Sequence, residues 1–176
     1  MSILKVARMG HPVLRHRARA LDRPDFRNPA LQKFIDDMIE TMYEYHGVGL
    51  AAPQVHEGLR LFVAMLDDDP GEDSEAAVIV NPEITATAAT VEEGWEGCLS
   101  IPDIRGMVPR YAEIRLKALD RNGKPIELAL KGFPARVAQH EADHLDGVLF
   151  FDRMKSMETL TFLEEFSRYW TKEDGD

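Results

Sequence analysis

The five residues His140-Glu141-Ala142-Asp143-His144, set between Pro134 and Gly147, constrain this chain more than any other stretch. Residues four apart lie on one face of a helix, one turn from each other. Two imidazoles so placed can grip one metal ion, and the carboxylate beside them can move protons near it. The surroundings agree with a helix. Pro134 suits the first helical position, where its missing N–H would have no partner anyway. Gly147 suits a left-handed stop just past the end. The pattern predicts a short helix from about Pro134 to Leu145 that carries both histidines. Taken alone, it also fits an ordinary helix whose histidines happen to fall four apart.

The frame around that helix is an ordinary globular one. The 176 residues suit a single domain spanning 1–176, and an apolar content of 44% is ample for a core. A net charge of −10 argues against holding DNA or acidic lipid through the overall field. No apolar run approaches membrane-spanning length. From Met1 to Asp22, basic residues alternate with Pro, Gly and single apolar residues, which is unlike a secretory signal. Cytoplasmic location is the resulting expectation. The single cysteine, Cys98, cannot form an internal disulfide, which fits a reducing compartment.

Periodicity places the other elements. Asn28 can cap a helix running to His46, with Pro29 first and Leu31, Phe34, Ile35, Met38, Ile39 and Met42 at spacings of three and four; Gly47 would end it. Leu59 to Leu66 reads as a buried strand, and Ala76 to Val80 and Thr90-Val91 as further strand candidates. Asp67 to Asp73 reads as an acidic loop without calcium-ligand spacing. Glu113 to Leu119 and Pro125 to Leu130 alternate around Asn122-Gly123, a hairpin signal. Ser156 to about Trp170 reads as a final helix with Met157, Leu160, Leu163 and Phe166 inward, and 171–176 as a frayed tail. Together these give an α+β fold: antiparallel sheets packed around a central metal-binding helix, with a helix in the N-terminal half and one at the C-terminus.

Two histidines leave an open metal site one protein ligand short. Candidates are Cys98, the other histidines and many carboxylates. Cys98 sits in Glu96-Gly97-Cys98-Leu99-Ser100, where Gly97 permits close backbone approach. A lone cysteine is equally at home as a small buried hydrophobe. A third segment, Gly47-Val48-Gly49-Leu50-Ala51-Ala52-Pro53-Gln54, allows close approach of a ligand or another backbone. Gln54 is a polar residue ending an apolar run, and a surface amide is its plain alternative.

Those three segments, with Gln139 before the histidine motif, resemble the peptide deformylase family. The family carries G-φ-G-L-A-A-x-Q, E-G-C-x-S and Q-H-E-x-D-H in this order, and all three stand complete here. Gly10-His11-Pro12-Val13-Leu14 and Val108-Pro109-Arg110 extend the resemblance, which spans about Ala7 to Met154. It implies Cys98, His140 and His144 as metal ligands and Glu141 as general acid/base. It implies the Gln54 amide and the Leu99 backbone N–H as donors to the developing oxyanion. The implied reaction is hydrolysis of the N-formyl group from the initiator methionine of new chains. One divalent metal is implied, usually Fe²⁺, with Zn²⁺ or another transition metal tolerated.

Chemistry agrees with that set. A bound divalent metal lowers the pKa of water to about 7, a single oxyanion donor is worth roughly 3–4 kcal/mol, and a thiolate suits Fe²⁺ or Zn²⁺ better than Mg²⁺. Val48, Phe133 and Val137 match positions near the family's methionine pocket, and the backbone at Val48 and Gly49 can pair with an extended peptide. Glu96 and Asp143 are candidates to orient the histidines, with Arg105 and Arg110 as their partners. Gly94-Trp95, Pro134 and Arg136 depart from the commonest family pattern and bear on pocket shape. His11, His16, His46 and His56 read as non-ligands. Arg168 and Lys172 leave room for a transient ribosome contact. Two other readings stand beside this one: a zinc peptidase cutting internal bonds, which would take a third His or Glu, and a structural metal site, which would want a fourth protein ligand.

Overall fold

Helix α1 (Pro29–Glu44) starts as its sequence dictates: the Asn28 side chain accepts from the Ala30 N–H, and Pro29 fills the first position. Its apolar stripe, Leu31, Ile35, Met38 and Met42, is buried. The turn that stops it is left-handed at His46, with φ 53°, and not at Gly47. The computed structural model describes residues 2–67 and 75–171. Much of the expected acidic loop and all but the first residue of the expected tail lie outside those residues.

Five antiparallel strands form the larger sheet: β1 (Gly49–Ala51), β2 (Leu61–Ala64), β3 (Ala77–Ala86), and two that follow a smaller sheet in sequence. The smaller sheet contributes β4 (Val91–Cys98) and β5 (Ile101–Tyr111). The chain then returns as β6 (Glu113–Leu119) and β7 (Pro125–Lys131), giving the order β1-β2-β3-β6-β7. The expected hairpin joins β6 to β7: Asp120 Oδ1 accepts from the Asn122 and Lys124 N–H groups, and Gly123 takes φ 77°.

Helix α2 (Gly132–Leu145) carries the histidine motif and packs on both sheets. It starts two residues before Pro134, which sits within the first turn where N–H groups lack helical partners. Gly147 makes the expected stop at φ 73°, with Arg15 O only 2.6 Å from where a Cβ would stand. Strand β2 is buried on both faces because a helix covers each. Phe62 and Ala64 meet Ala135, Ala138 and Leu145 of α2, while Leu61 and Val63 meet Ile35, Met38 and Met42 of α1.

The C-terminal expectation is corrected. Ser156 caps only a short turn at Met157–Thr159, β8 (Thr161–Phe162) pairs with Ile104 and Arg105 of β5, and α3 (Leu163–Tyr169) follows. Pairing with β5 interrupts the helical pattern. Met157, at 62%, and Leu160 are exposed, while Leu163 and Phe166 are half-buried, so only the last part of the expected stripe turns inward.

The layered packing predicts unequal costs along α1. Met38→Ala, at 0% exposure, is expected to lower stability by about 2–5 kcal/mol. Asn28→Ala removes one cap and is expected to cost about 1 kcal/mol. Denaturant titration measures both, and equal losses would contradict the assignment.

Candidate active site

Three parts of the chain converge. Strand β4 ends at Cys98, a turn at Leu99-Ser100 leads into β5, and α2 presents His140 and His144 to the same point. One donor atom from each of Cys98, His140 and His144 lies within 4.8 Å of the others, and all three residues are buried. The Cys98 Sγ to His144 Nε2 distance is 3.3 Å. A tetrahedral ion with bonds of about 2.0–2.3 Å needs its donors roughly 3–4 Å apart, so the set fits one divalent metal. Among the described residues no other such group occurs.

Charge within the set suits a cation. Burial pushes the Cys98 thiol up, but the His144 and His140 rings outweigh it and hold the thiol well below its usual value. Burial likewise pushes His140 down, and Cys98 with Glu96 outweighs it and holds the ring well above its usual value. A thiolate is thus already available, and a metal entering the set displaces the remaining proton.

Around the donors lies a buried ionic network. Glu96 Oε2 is 2.9 Å from His140 Nδ1, which directs the other ring nitrogen toward the metal position. Arg110 donates to both Glu96 oxygens at 2.9 and 3.0 Å and to Asp143 Oδ2 at 2.5 Å. Arg153 closes on Asp143 Oδ1 at 2.7 Å. Burial raises the Glu96 carboxyl, but His140 and Arg110 outweigh burial and bring it down to about 2. Glu96 and Arg110 therefore take the places expected of them, whereas Asp143 bonds Arg110 and Arg153 and neither histidine; His144 Nδ1 has no hydrogen-bond partner among the described residues. Arg105 does not pair with these carboxylates; its guanidinium lies against Gly97.

Sequence reasoning tied Arg136 to pocket shape and missed its bond to Glu96. Its guanidinium donates to Glu96 Oε1 at 3.0 Å, and to the carbonyls of Val108 at 2.7 Å and Glu92 at 2.7 Å. The available signal was its position one helical turn before His140, on the face that meets β4. Gln139 was read only as part of the motif. Its side chain bonds the backbone N–H and C=O of Tyr111 at 3.1 and 2.9 Å, fastening α2 to the end of β5.

Glu141 stands apart from the network. Burial pushes its carboxyl up to about 7, although His140 and His144 oppose the rise. Oε2 is buried with no hydrogen-bond partner among the described residues. A Cβ on Gly49 would stand 2.4 Å from Oε1, so only glycine lets β1 pass this close. Gln54 is 1% exposed, not a surface amide. Its Oε1 accepts from the Ala51 N–H at 2.8 Å, which orients Nε2 toward Ser100 Oγ at 3.3 Å and Cys98 Sγ at 3.4 Å.

These groups face a cavity of 740 Å³, to which Val48, Gly49, Leu99, Phe133 and Val137 all contribute. Val137 is buried, while Val48 and Phe133 are 45% and 56% exposed at the cavity's edge. Gly94 lies beneath the Arg136 guanidinium, and Trp95 and Arg136 line the cavity. Arg168 bonds Glu164 and Glu165, and Lys172 lies outside the described residues. No described helix is long and apolar enough to cross a membrane.

Comparison with known proteins gives concordant results. The polypeptide deformylase family model matches residues 3–160. Peptide deformylase 2 of Nostoc is 39% identical over 174 residues, covering 97% of this chain and 96% of that protein. A crystal structure of peptide deformylase from Thermotoga maritima matches with a TM-score of 0.80 at 40% identity, over 89% of this chain and 100% of that one. A Met-Ala-Ser-bound class I type b peptide deformylase from Acinetobacter baumannii matches with a TM-score of 0.80 at 40% identity, over 88% of this chain and 100% of that one.

The Glu96–His140 contact generates a test. Glu96→Gln is expected to weaken Zn²⁺ affinity about 10–100-fold, measured by competition against a chromophoric chelator. Unchanged affinity would remove Glu96 from the metal site.

Proposed function

Since the chain belongs to the peptide deformylase family, metal-dependent hydrolases that remove the N-formyl group from N-terminal formylmethionine of newly synthesised polypeptides, we propose how its own residues divide that work. Cys98, His140 and His144 hold the metal; Glu141 is the general acid/base; Gln54 and the Leu99 backbone N–H receive the oxyanion. The reading is carried by one observation: a buried carboxylate with one unpartnered oxygen and an oriented amide stand beside three side chains that could hold a metal ion.

A bound divalent metal supplies an electrophile that activates water and polarises the formyl group. Glu141, with a carboxyl near 7, takes a proton from the attacking water and returns it to the leaving amine. The amine leaves protonated and formate is released. Gln54 Nε2, fixed by the Ala51 N–H on its carbonyl side, donates to the carbonyl oxygen as it gains negative charge. An amide does this without adding a charge that competes with the metal.

Val48, Phe133 and Val137 receive the methionine side chain, an apolar setting suited to a thioether. Strand β1 is at the end of its sheet, so Gly49 has a free edge to offer an extended peptide. Main-chain pairing ignores side-chain identity, which suits an enzyme acting on many nascent chains. The donor set of one thiolate and two imidazoles favours Fe²⁺ or Zn²⁺ over Mg²⁺. Fe²⁺ is the native ion in this reading, and metal analysis after anaerobic purification tests it. The domain acts as one catalytic unit in the cytoplasm, where formylated chains emerge from the ribosome.

Metal-replete protein is expected to release formate from formyl-Met-Ala-Ser and to leave an unformylated peptide uncut. Internal cleavage would favour the peptidase reading, and no reaction the structural-metal reading. Glu141→Ala is expected to keep its metal and lose about 10²–10⁴-fold in kcat. A near-normal rate in that variant would end the proton-transfer role.

A further inference from the structure

We propose that an apolar wall of Trp95 and Leu163 reads the side chains that follow formylmethionine, and that α3 holds this wall in place through Phe166 and Trp170. The proposal rests on the cleft receiving formylated peptide ends.

Trp95 and Leu163 come from distant parts of the chain, yet both line the cavity that holds the metal donors. For Trp95 the distance from the reacting centre follows from strand register: on β4 it lies three residues before Cys98, and three extended residues span ~10 Å. Leu163 reaches the same cavity from the other strand, where β5 bulges after Ile101 and Ile104, within the bulge, pairs with Phe162, the neighbour of Leu163. A peptide whose formyl carbon sits at the metal donors covers that span with its second and third residues, and their side chains reach the wall.

The wall depends on a helix that core burial does not secure. Helix α3 has 7 residues, none of them fully buried. A helix that short does not hold in water by itself. Its anchor is aromatic: the Trp95 ring packs edge-on against Phe166 at 4.9 Å and Trp170 at 5.1 Å between centroids. The same helix begins with Leu163, at the cavity. Losing the aromatic contacts therefore loosens both halves of the wall. Apolar faces of Trp and Leu favour apolar side chains in the substrate. Phe166 and Trp170 do not line the cavity, so they act as positioning residues.

Steady-state kinetics on metal-replete protein test this with three probes: formyl-Met, formyl-Met-Ser-Ser and formyl-Met-Leu-Phe. Wild type is expected to prefer formyl-Met-Leu-Phe to formyl-Met-Ser-Ser in kcat/KM. Leu163→Ala and Trp170→Ala are each expected to cut that preference about tenfold, through KM with kcat retained. Trp170→Phe should restore it, and Trp170→Ala should leave formyl-Met hydrolysis at the wild-type rate. A preference unchanged in both alanine variants, an equal loss on formyl-Met, or no preference in wild type would overturn the proposal. Absence of formate from every probe would instead overturn the reading of the cleft on which it rests.

Discussion

The site depends on a buried guanidinium. Arg110, 6% exposed on β5, holds Glu96 of β4 and Asp143 of α2 at once. Three elements are thereby locked in register by charge, not by shape alone. Desolvating such groups is expensive, and removing one partner of a buried pair typically costs ~3–5 kcal/mol. The expense has a structural return. Glu96 lies two residues from Cys98, and Asp143 is next to His144, so clamping the carboxylates brings the thiolate strand and the histidine helix together.

The same network separates two kinds of carboxylate. Glu96, surrounded by Arg110, Arg136 and His140, stays ionised and orients a ring. Glu141, one residue beyond His140, makes no ion pair with a guanidinium among the described residues and lies against the bare backbone of Gly49, where burial raises it. One helix thus presents a permanent anion's partner and a protonatable acid side by side. Environment assigns the roles, as desolvation and charge pairing push carboxylates in opposite directions. The larger sheet contributes the rest: β1 supplies the backbone against Glu141, and the turn after it delivers Gln54 to Cys98.

What was legible in the sequence was local. Helix α1, the β6–β7 hairpin and the stop at Gly147 each carry their signal within a few residues of the event. The three donors were legible through motifs, since each motif is a short constraint on backbone and chemistry together. Less was legible where the cause is distant. Strand β4 begins with exposed Val91, Glu92 and Glu93, which have no apolar alternation, and exists because β5 pairs with it. Strand β3 continues past Val80 only through a register shift at Asn81, whose side chain bonds the backbone of Leu21 at 2.8 and 2.9 Å. The helical spacing after Ser156 is real, but β5 claims Thr161 and Phe162 as a strand. Arg136 was legible only as a departure bearing on pocket shape, because Glu96, its partner, lies forty residues earlier.

The central claim is that this clamp makes a strand-end thiolate and two helical imidazoles into one metal site. Titration with Co²⁺, followed by electronic absorption, tests it most directly. The expected result is saturation at a single equivalent, with a sulfur-to-cobalt charge-transfer band that Cys98→Ala lacks. Full binding without that band, or the same band in Cys98→Ala, would contradict the claim.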